Sequence, residues 1–256
     1  MTPQKPTIEL DGVRVAFSTG WGSGRGSVVA MDDVSFAIAP GETLGLVGES
    51  GSGKSTTGAV ALGLQRVDAG AVRFHGEPLG RSLRSRAGRV QAVLQHPQWA
   101  LDPRMRVLDS VIEPLLVTEG RRNAGNEQRA LAMLADVGLP ESYALRRPHE
   151  LSGGQRQRVS VARALVTHPS FILFDEAVSA LDVSVQAQIL NLIRDLQSEY
   201  GFAALFISHD LAAVRYVSHR VAVMQTGRIV ELASTAAFYQ QPSHPYSQQL
   251  FRELTG

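Results

Sequence analysis

Polar and apolar residues alternate from Ile8 to Phe17, the two-residue period of a strand with one face buried. The alternation returns over Val34–Ile38 and stops at the turn pair Pro40-Gly41. Thr43–Val47 is a short apolar run leading into a glycine-rich turn, and Lys54–Leu64 then has helical character. Further strands are predicted at Ala71–His75 and Val90–Gln95, on either side of the arginine-rich stretch 81–89. From Val107 to Leu139 the period is helical: Ala130, Leu131, Leu134 and Val137 recur at spacings of three and four, a buried stripe. A long helix is predicted from about Gly154 to Val166. Phe171–Phe174 is continuously apolar, as in a parallel sheet covered on both faces. Val185–Leu196 reads as a helix, Ala203–Ile207 as a strand, and Val221–Met224 with Arg228–Glu231 closes the pattern.

Strands alternating with helices predict a doubly wound α/β core, interrupted by a mostly helical insert at about 97–157. The Gly/Ser-rich segment Ser18–Ser27 is predicted as a surface loop.

Composition adds exclusions. The chain has 256 residues, 44% of them hydrophobic, enough for one large α/β domain or two small ones. No uncharged apolar run reaches the roughly 18 residues that span a bilayer. Met1–Asp11 lacks the apolar stretch of a secretory signal. The absence of cysteine excludes disulfides and thiolate metal sites and fits a reducing cytoplasm. A net charge of +1 supplies no global field toward nucleic acid or an anionic membrane. Only Lys5 and Lys54 among the 25 cationic residues are lysines, so any lysine in a motif stands out.

One of those two lysines lies in Gly48-Glu49-Ser50-Gly51-Ser52-Gly53-Lys54-Ser55-Thr56, which fits G-x-x-x-x-G-K-[ST]. Glycines let backbone N–H groups curl around a phosphate chain at a helix N-terminus. Lys54 is a compact charge able to reach β- and γ-phosphates, and the Ser55 hydroxyl can ligate Mg²⁺. An arginine's flat fork would not substitute easily for Lys54. The predicted strand before the loop and helix after it supply the required context.

Four further segments narrow the reading. Leu151-Ser152-Gly153-Gly154-Gln155 opens a helix and places N–H groups and a hydroxyl at its N-terminus. Taken alone, such a stretch also describes an ordinary helix cap. Asp175 and Glu176 end the apolar strand Phe171–Phe174, where ligands sit in open parallel sheets. Asp175 suits a Mg²⁺ shell, and Glu176 suits polarising an attacking water. Gln95 and His209 each follow a predicted strand.

Together these motifs, in this order, resemble an ATP-binding-cassette (ABC) nucleotide-binding domain over essentially the whole chain. The correspondences are Walker A (48–56), the Q-loop (Gln95), the signature (151–155), Walker B (171–176), the D-loop (Ser179-Ala180-Leu181-Asp182) and the switch histidine (His209). DEAVSALDVSVQAQILNLI (175–193), ISHDLAAVRYVSHRVAVM (207–224), QHPQWALDPRM (95–105) and HPYSQQL (244–250) resemble the oligopeptide, dipeptide and nickel importer branch. Ala177 stands where many relatives have Pro, and His219 where many have Asp.

The resemblance implies a P-loop NTPase (RecA-like) α/β core with an N-terminal antiparallel β subdomain and a helical signature subdomain. One cassette would span 1–256: residues 1–96 and 158–232 as β subdomain and core, 97–157 as the helical part, and 233–256 as the HPY tail. It implies that Gly48, Ser50, Gly51, Ser52, Gly53, Lys54, Ser55, Thr56 and Asp182 bind ATP, with Phe17 (or Trp21) on the adenine. Mg²⁺ would be held by Ser55, Gln95 and Asp175, and catalysis carried by Glu176, His209 and Gln95. Ser152, Gly153, Gly154 and Gln155 would cap the nucleotide of a second cassette, the same chain or a paralogue. The implied partners are two transmembrane permease subunits and an extracytoplasmic substrate-binding protein, with no nucleic acid. The implied place is peripheral, on the cytoplasmic face of the inner membrane, and the cargo short peptides, or nickel and metal chelates. A soluble nucleic-acid-associated ABC ATPase and an accessory ATPase of a phosphonate-processing complex are the alternatives.

Overall fold

A computed structural model describes residues 5–19, 26–80, 82–95 and 100–255. In chain order its strands are β1 (Ile8–Thr19), β2 (Gly26–Ile38), β3 (Thr43–Val47), β4 (Ala69–Phe74), β5 (Glu77–Pro78), β6 (Val90–Leu94), β7 (Phe171–Asp175), β8 (Ala203–Ile207), β9 (Arg220–Gln225) and β10 (Arg228–Ser234). Its helices are α1 (Lys54–Ala61), α2 (Leu83–Arg86), α3 (Val107–Glu119), α4 (Ala124–Asp136), α5 (Gly153–Leu165), α6 (Val183–Tyr200), α7 (Leu211–Val217), α8 (Thr235–Gln240) and α9 (Pro245–Thr255). The chain divides into two compact units, residues 1–81 with 203–256, and residues 82–202.

The first unit carries two sheets. One is antiparallel, ordered β2–β1–β4–β5. Its inward residues Ile8, Leu10, Val13, Val15, Val34 and Ile38 are at most 1% exposed, which is the payoff of the alternation. β2 begins at Gly26, eight residues before the predicted strand, because β1 pairs with it as far as Ser18↔Ser27 and Thr19↔Gly26. Cross-strand pairing there overrides weak local strand formers.

In the second sheet of this unit, β3 runs parallel to both β8 and β9, and β10 returns antiparallel along β9. Every residue of β3 and β8 is buried, so their apolar runs are central strands. Thr43 ties the start of β3 to the turn before β9: its N–H donates to His219 Nδ1 at 3.0 Å, and its carbonyl accepts from the His219 N–H at 2.9 Å.

The second unit spans more than the helical segment expected at 97–157, since it also holds the parallel pair β6–β7 and helix α6. The helical period over Val107–Leu139 is carried by two helices. Gly120, at φ 79°, closes α3, and Asn123 opens α4 through a reciprocal capping box with Asn126. α3 packs on α5, and Arg163 of α5 pairs with Glu113 of α3 at 2.8 Å. Among the described residues no helix is long and apolar enough to cross a membrane.

Candidate functional site

In the first unit the turn after β3 has the geometry of an anion cradle. Gly48, Gly51 and Gly53 adopt φ values of 151°, 80° and 111°, which L-residues rarely take. Two of them also lack room for a side chain. A Cβ on Gly48 would lie 2.1 Å from the Met224 carbonyl oxygen, and one on Gly53 would lie 2.3 Å from that of Ala30. The loop is strapped from below by the Gly227 N–H, which donates to the Ser52 carbonyl at 2.9 Å.

Lys54 folds its ammonium back over this loop, donating to the carbonyl oxygens of Gly48 and Glu49 at 2.7 Å each. Helix α1 starts at Gly53 with no side-chain cap and no acidic residue in its first turn. The first N–H groups of a helix have no partner within it, so this end is left electropositive. Ser50 and Gly51 are exposed, as is Ser55; Thr56 is half-buried, and the Ser52 side chain is buried. These donors fit a polyphosphate.

His209 lies two residues beyond the end of β8, exposed. Leu46 pairs with Ile207, so the phosphate loop and His209 leave neighbouring parallel strands at the same end. Below it, Asp210 caps α7 by accepting from the N–H groups of Ala212 and Ala213 at 2.8 and 3.1 Å. Phe17 is 41% exposed and sits across from the exposed Val28, so it is not a core residue. Trp21, the other adenine candidate, lies outside the described residues, as does Trp99.

The second unit gathers the remaining candidates in two places. Leu94 pairs with Asp175 at the C-terminal ends of β6 and β7, so Gln95 and Glu176 are each the next residue on adjacent strands. Gln95 is exposed, and Asp175 and Glu176 are half-buried. Glu176 has a φ of 52°, a strained value for a side-chain-bearing residue that directs its carboxylate off the strand's own path. Ser179 clamps the turn, its hydroxyl and N–H donating to the Glu176 carbonyl at 2.9 and 3.2 Å. Asp182 ends the turn as the cap of α6, accepting from the Val185 N–H at 3.0 Å and the Ser184 hydroxyl at 2.7 Å. Those bonds hold its carboxyl below the usual carboxylate range.

The second place is the start of α5. Ser152 and Gln155 form a reciprocal capping box: the Ser152 hydroxyl accepts from the Gln155 N–H at 3.3 Å, and the Gln155 carbonyl oxygen accepts from the Ser152 N–H at 2.9 Å. The segment is thus a helix cap, each polar side chain accepting from the other residue's backbone N–H. Gly153 and Gly154 then stand in the first turn, where N–H groups have no intrahelical acceptor. A Cβ on Gly154 would lie 2.5 Å from Cγ1 of Val185, so a side chain there would push against α6. Gln155 is further held by Tyr143, whose hydroxyl accepts from Nε2 at 3.1 Å. The guanidinium of Arg146 stacks 3.8 Å from the centroid of the same ring.

Some participants escape the sequence reading. Met224 lies under Gly48 and Gly53, Tyr143 props Gln155, and Tyr246 of the tail bonds the phosphate loop. Only the HPY motif signalled any of them.

The sequence profile of the family described as "ABC transporter" matches residues 31–179. The chain belongs to the ABC transporter family. It is an ATPase cassette of that family. It is 50% identical over 227 residues to a glutathione import ATP-binding protein of Pectobacterium atrosepticum, covering 87% of this chain and 36% of that protein. A putative peptide import ATP-binding protein of Brucella abortus is 50% identical over 232 residues, 89% of this chain and 70% of its own length. The oligopeptide transport ATP-binding protein OppF of Bacillus subtilis is 48% identical over 236 residues, 90% of this chain and 77% of its own. Among solved structures, a dimeric post-hydrolysis state of the ATP-binding cassette MJ0796 bound to ADP and Pi superposes with a TM-score of 0.77 at 28% identity, covering 89% of this chain and 98% of that one. The structure of cbiO1 from Clostridium perfringens, part of the ABC transporter complex cbiONQ, reaches a TM-score of 0.80 at 22% identity over 98% and 95% of the two chains, a likeness of fold.

Proposed function

We propose that this ABC cassette hydrolyses ATP to drive uptake of short peptides through two transmembrane permease subunits, from the cytoplasmic face of the membrane. The observation that carries the reading is 48–50% identity, over about nine-tenths of the chain, to a putative peptide import ATP-binding protein and an oligopeptide transport ATP-binding protein. The likeness to a glutathione import protein fits the same cargo class, since glutathione is a tripeptide.

The chemistry follows from the donors and carboxylates. Lys54 exchanges the two carbonyls it now touches for phosphate oxygens, and the loop N–H groups and the start of α1 carry the rest of the negative charge. Mg²⁺, when bound, would offset phosphate charge, with Ser55, Gln95 and Asp175 as its protein ligands. Glu176 would accept the proton of the attacking water, and His209 and Gln95 would act on the γ-phosphoryl group as it passes to water and ADP leaves. Phe17 supplies an exposed ring for adenine.

A second cassette completes the arrangement. The Gly153 and Gly154 N–H groups at the start of α5, with Ser152 and Gln155 beside them, would cap the nucleotide held by the partner's phosphate loop. A dimeric ADP-bound cassette of the same fold supports this. Nucleotide state then sets how long the two cassettes stay closed, and closure is what permeases would sense. The cargo itself would be selected by an extracytoplasmic binding protein.

Deleting the gene and measuring uptake of labelled di- and oligopeptides, with glutathione and nickel alongside, tests the reading. Loss of peptide uptake, with permease subunits co-purifying with the tagged chain, is the expected result. Normal uptake of all of these would remove the import assignment.

A further inference from the structure

The HPY segment is held in place before it reaches the phosphate loop. Glu231 of β10 is 8% exposed, and its two carboxylate oxygens accept from the backbone N–H groups of Ser243 and His244 at 2.8 and 3.0 Å. His244 Nδ1 in turn accepts from the Tyr246 N–H at 3.2 Å. Tyr246, Ser247 and Leu250 of α9 are buried, and Phe251 packs against Phe238 and Tyr239 of α8 with ring centroids 6.4 and 5.8 Å apart. The segment is therefore a built part of the first unit.

From that anchored position the Tyr246 hydroxyl accepts a hydrogen bond from the Glu49 N–H at 3.1 Å. The same peptide group is held at its other end, where the Gly48 carbonyl accepts from Lys54 Nζ at 2.7 Å. The Gly48–Glu49 peptide thus has a fixed orientation: carbonyl toward the phosphate-binding lysine, N–H toward the tail. This matters because Gly48, at φ 151°, is the residue about which that peptide could turn most freely. Turning it would swing the Gly48 oxygen away from Lys54 and toward the tail, breaking both bonds and spoiling the curl of N–H groups.

We propose that Tyr246 is a positioning residue for the phosphate loop, orienting the Gly48–Glu49 peptide so that the loop is formed before ATP arrives. The HPY element, on this view, tunes nucleotide affinity from 197 residues away in sequence. The inference rests on the reading of residues 48–56 as the ATP site. Preorganisation of this kind lowers the ordering cost of binding and leaves the chemical step alone. Tyr246 is buried and meets the loop at the Glu49 N–H, so its proposed action on the nucleotide runs through the loop.

Tyr246→Phe removes the hydroxyl and keeps the buried ring, so the fold and melting temperature should stay as in the wild type. In the full-length chain, KM and Kd for ATP should rise about three- to tenfold, the worth of one neutral hydrogen bond, while kcat stays within about twofold. Amide hydrogen exchange at Glu49, read by NMR without nucleotide, should speed up by a similar factor. Glu231→Gln, which loosens the anchor without touching Tyr246, should move both readouts in the same direction by less. Unchanged ATP affinity and unchanged Glu49 exchange in Tyr246→Phe would overturn the inference while wild-type ATP binding left the site assignment standing. A wild-type chain that bound no ATP would overturn both. A fall in kcat with KM unchanged would also overturn it, because positioning for binding predicts the opposite split.

Discussion

The carbonyl oxygen of Gly48 lies 2.7 Å from Nζ of Lys54, six residues further on, so the loop's one cation is satisfied by its own backbone. That arrangement makes Lys54 a charge held in readiness, spread over two carbonyls that bind it less strongly than a phosphate would. Lys54→Ala should lower ATP affinity by about a hundredfold, the loss of two charge-assisted bonds. The fold should survive, since the side chain is half-buried at the surface of the loop. Titration with a fluorescent ATP analogue checks this, and wild-type affinity would mean the loop plays no part in binding.

Glu176→Gln should slow hydrolysis by about 10²- to 10⁴-fold with ATP affinity retained, because an amide cannot take a proton from water. Its φ of 52° is held by Ser179, so the amide should sit where the carboxylate did. Gel filtration with ATP should then show a long-lived dimer. Turnover at the wild-type rate would remove Glu176 from the base role.

Gly154 separates two effects. Any side chain meets Val185, with Cβ 2.5 Å from its Cγ1, so Gly154→Ala tests crowding alone. Gly154→Asp adds a negative charge where a partner's nucleotide is expected. The Asp variant should lose at least about tenfold more turnover than the Ala variant, the scale of one misplaced charge. ATP affinity of the isolated chain should be near normal in both. If affinity falls with the charge in the monomer, the site does not act across the dimer.

Much of this was open to reading in the residue pattern. The buried strands β3, β7 and β8 coincide with their apolar runs to within a residue, because a strand covered on both faces leaves no polar position to confuse the period. Chemistry confined to short segments was legible for a related reason: glycines and their following helix are local. What escaped depends on contacts made over distance. β2 extends back to Gly26 only because β1 lies beside it. The break between α3 and α4 was written in Gly120 and Asn123, but the apolar stripe on either side masked it. Phe17 could have been core or surface until its partner strand was known, and Tyr246 meets the loop from the far end of the sequence.

Acid should loosen the tail. Burial works to raise the Glu231 pKa, but hydrogen bonds led by the Ser243 N–H outweigh it and hold the carboxyl below its usual range. A depressed folded-state pKa means stability that is fully present above the unfolded value, near 4.3, and lost as pH falls through the folded one. Glu231→Gln should therefore cost about 1–2 kcal/mol at pH 7, with the gap to wild type closing below about pH 4. Thermal unfolding of both proteins from pH 7 to 3 measures it; a gap that widened in acid would contradict the bonding described.

The central strand of the first unit has its partners at the other end of the chain. Thr43 is bonded to His219 across 176 residues, and β3 is flanked by β8 and β9. During synthesis, five residues that end up wholly buried must wait, unpaired, until the ribosome has made those later strands. At about 5–20 residues per second that interval lasts roughly 10–35 s. Until it closes, the strand that carries the phosphate loop is exposed and sticky, a natural client for a chaperone, and a transcript cut short before Ala203 would leave it so for good.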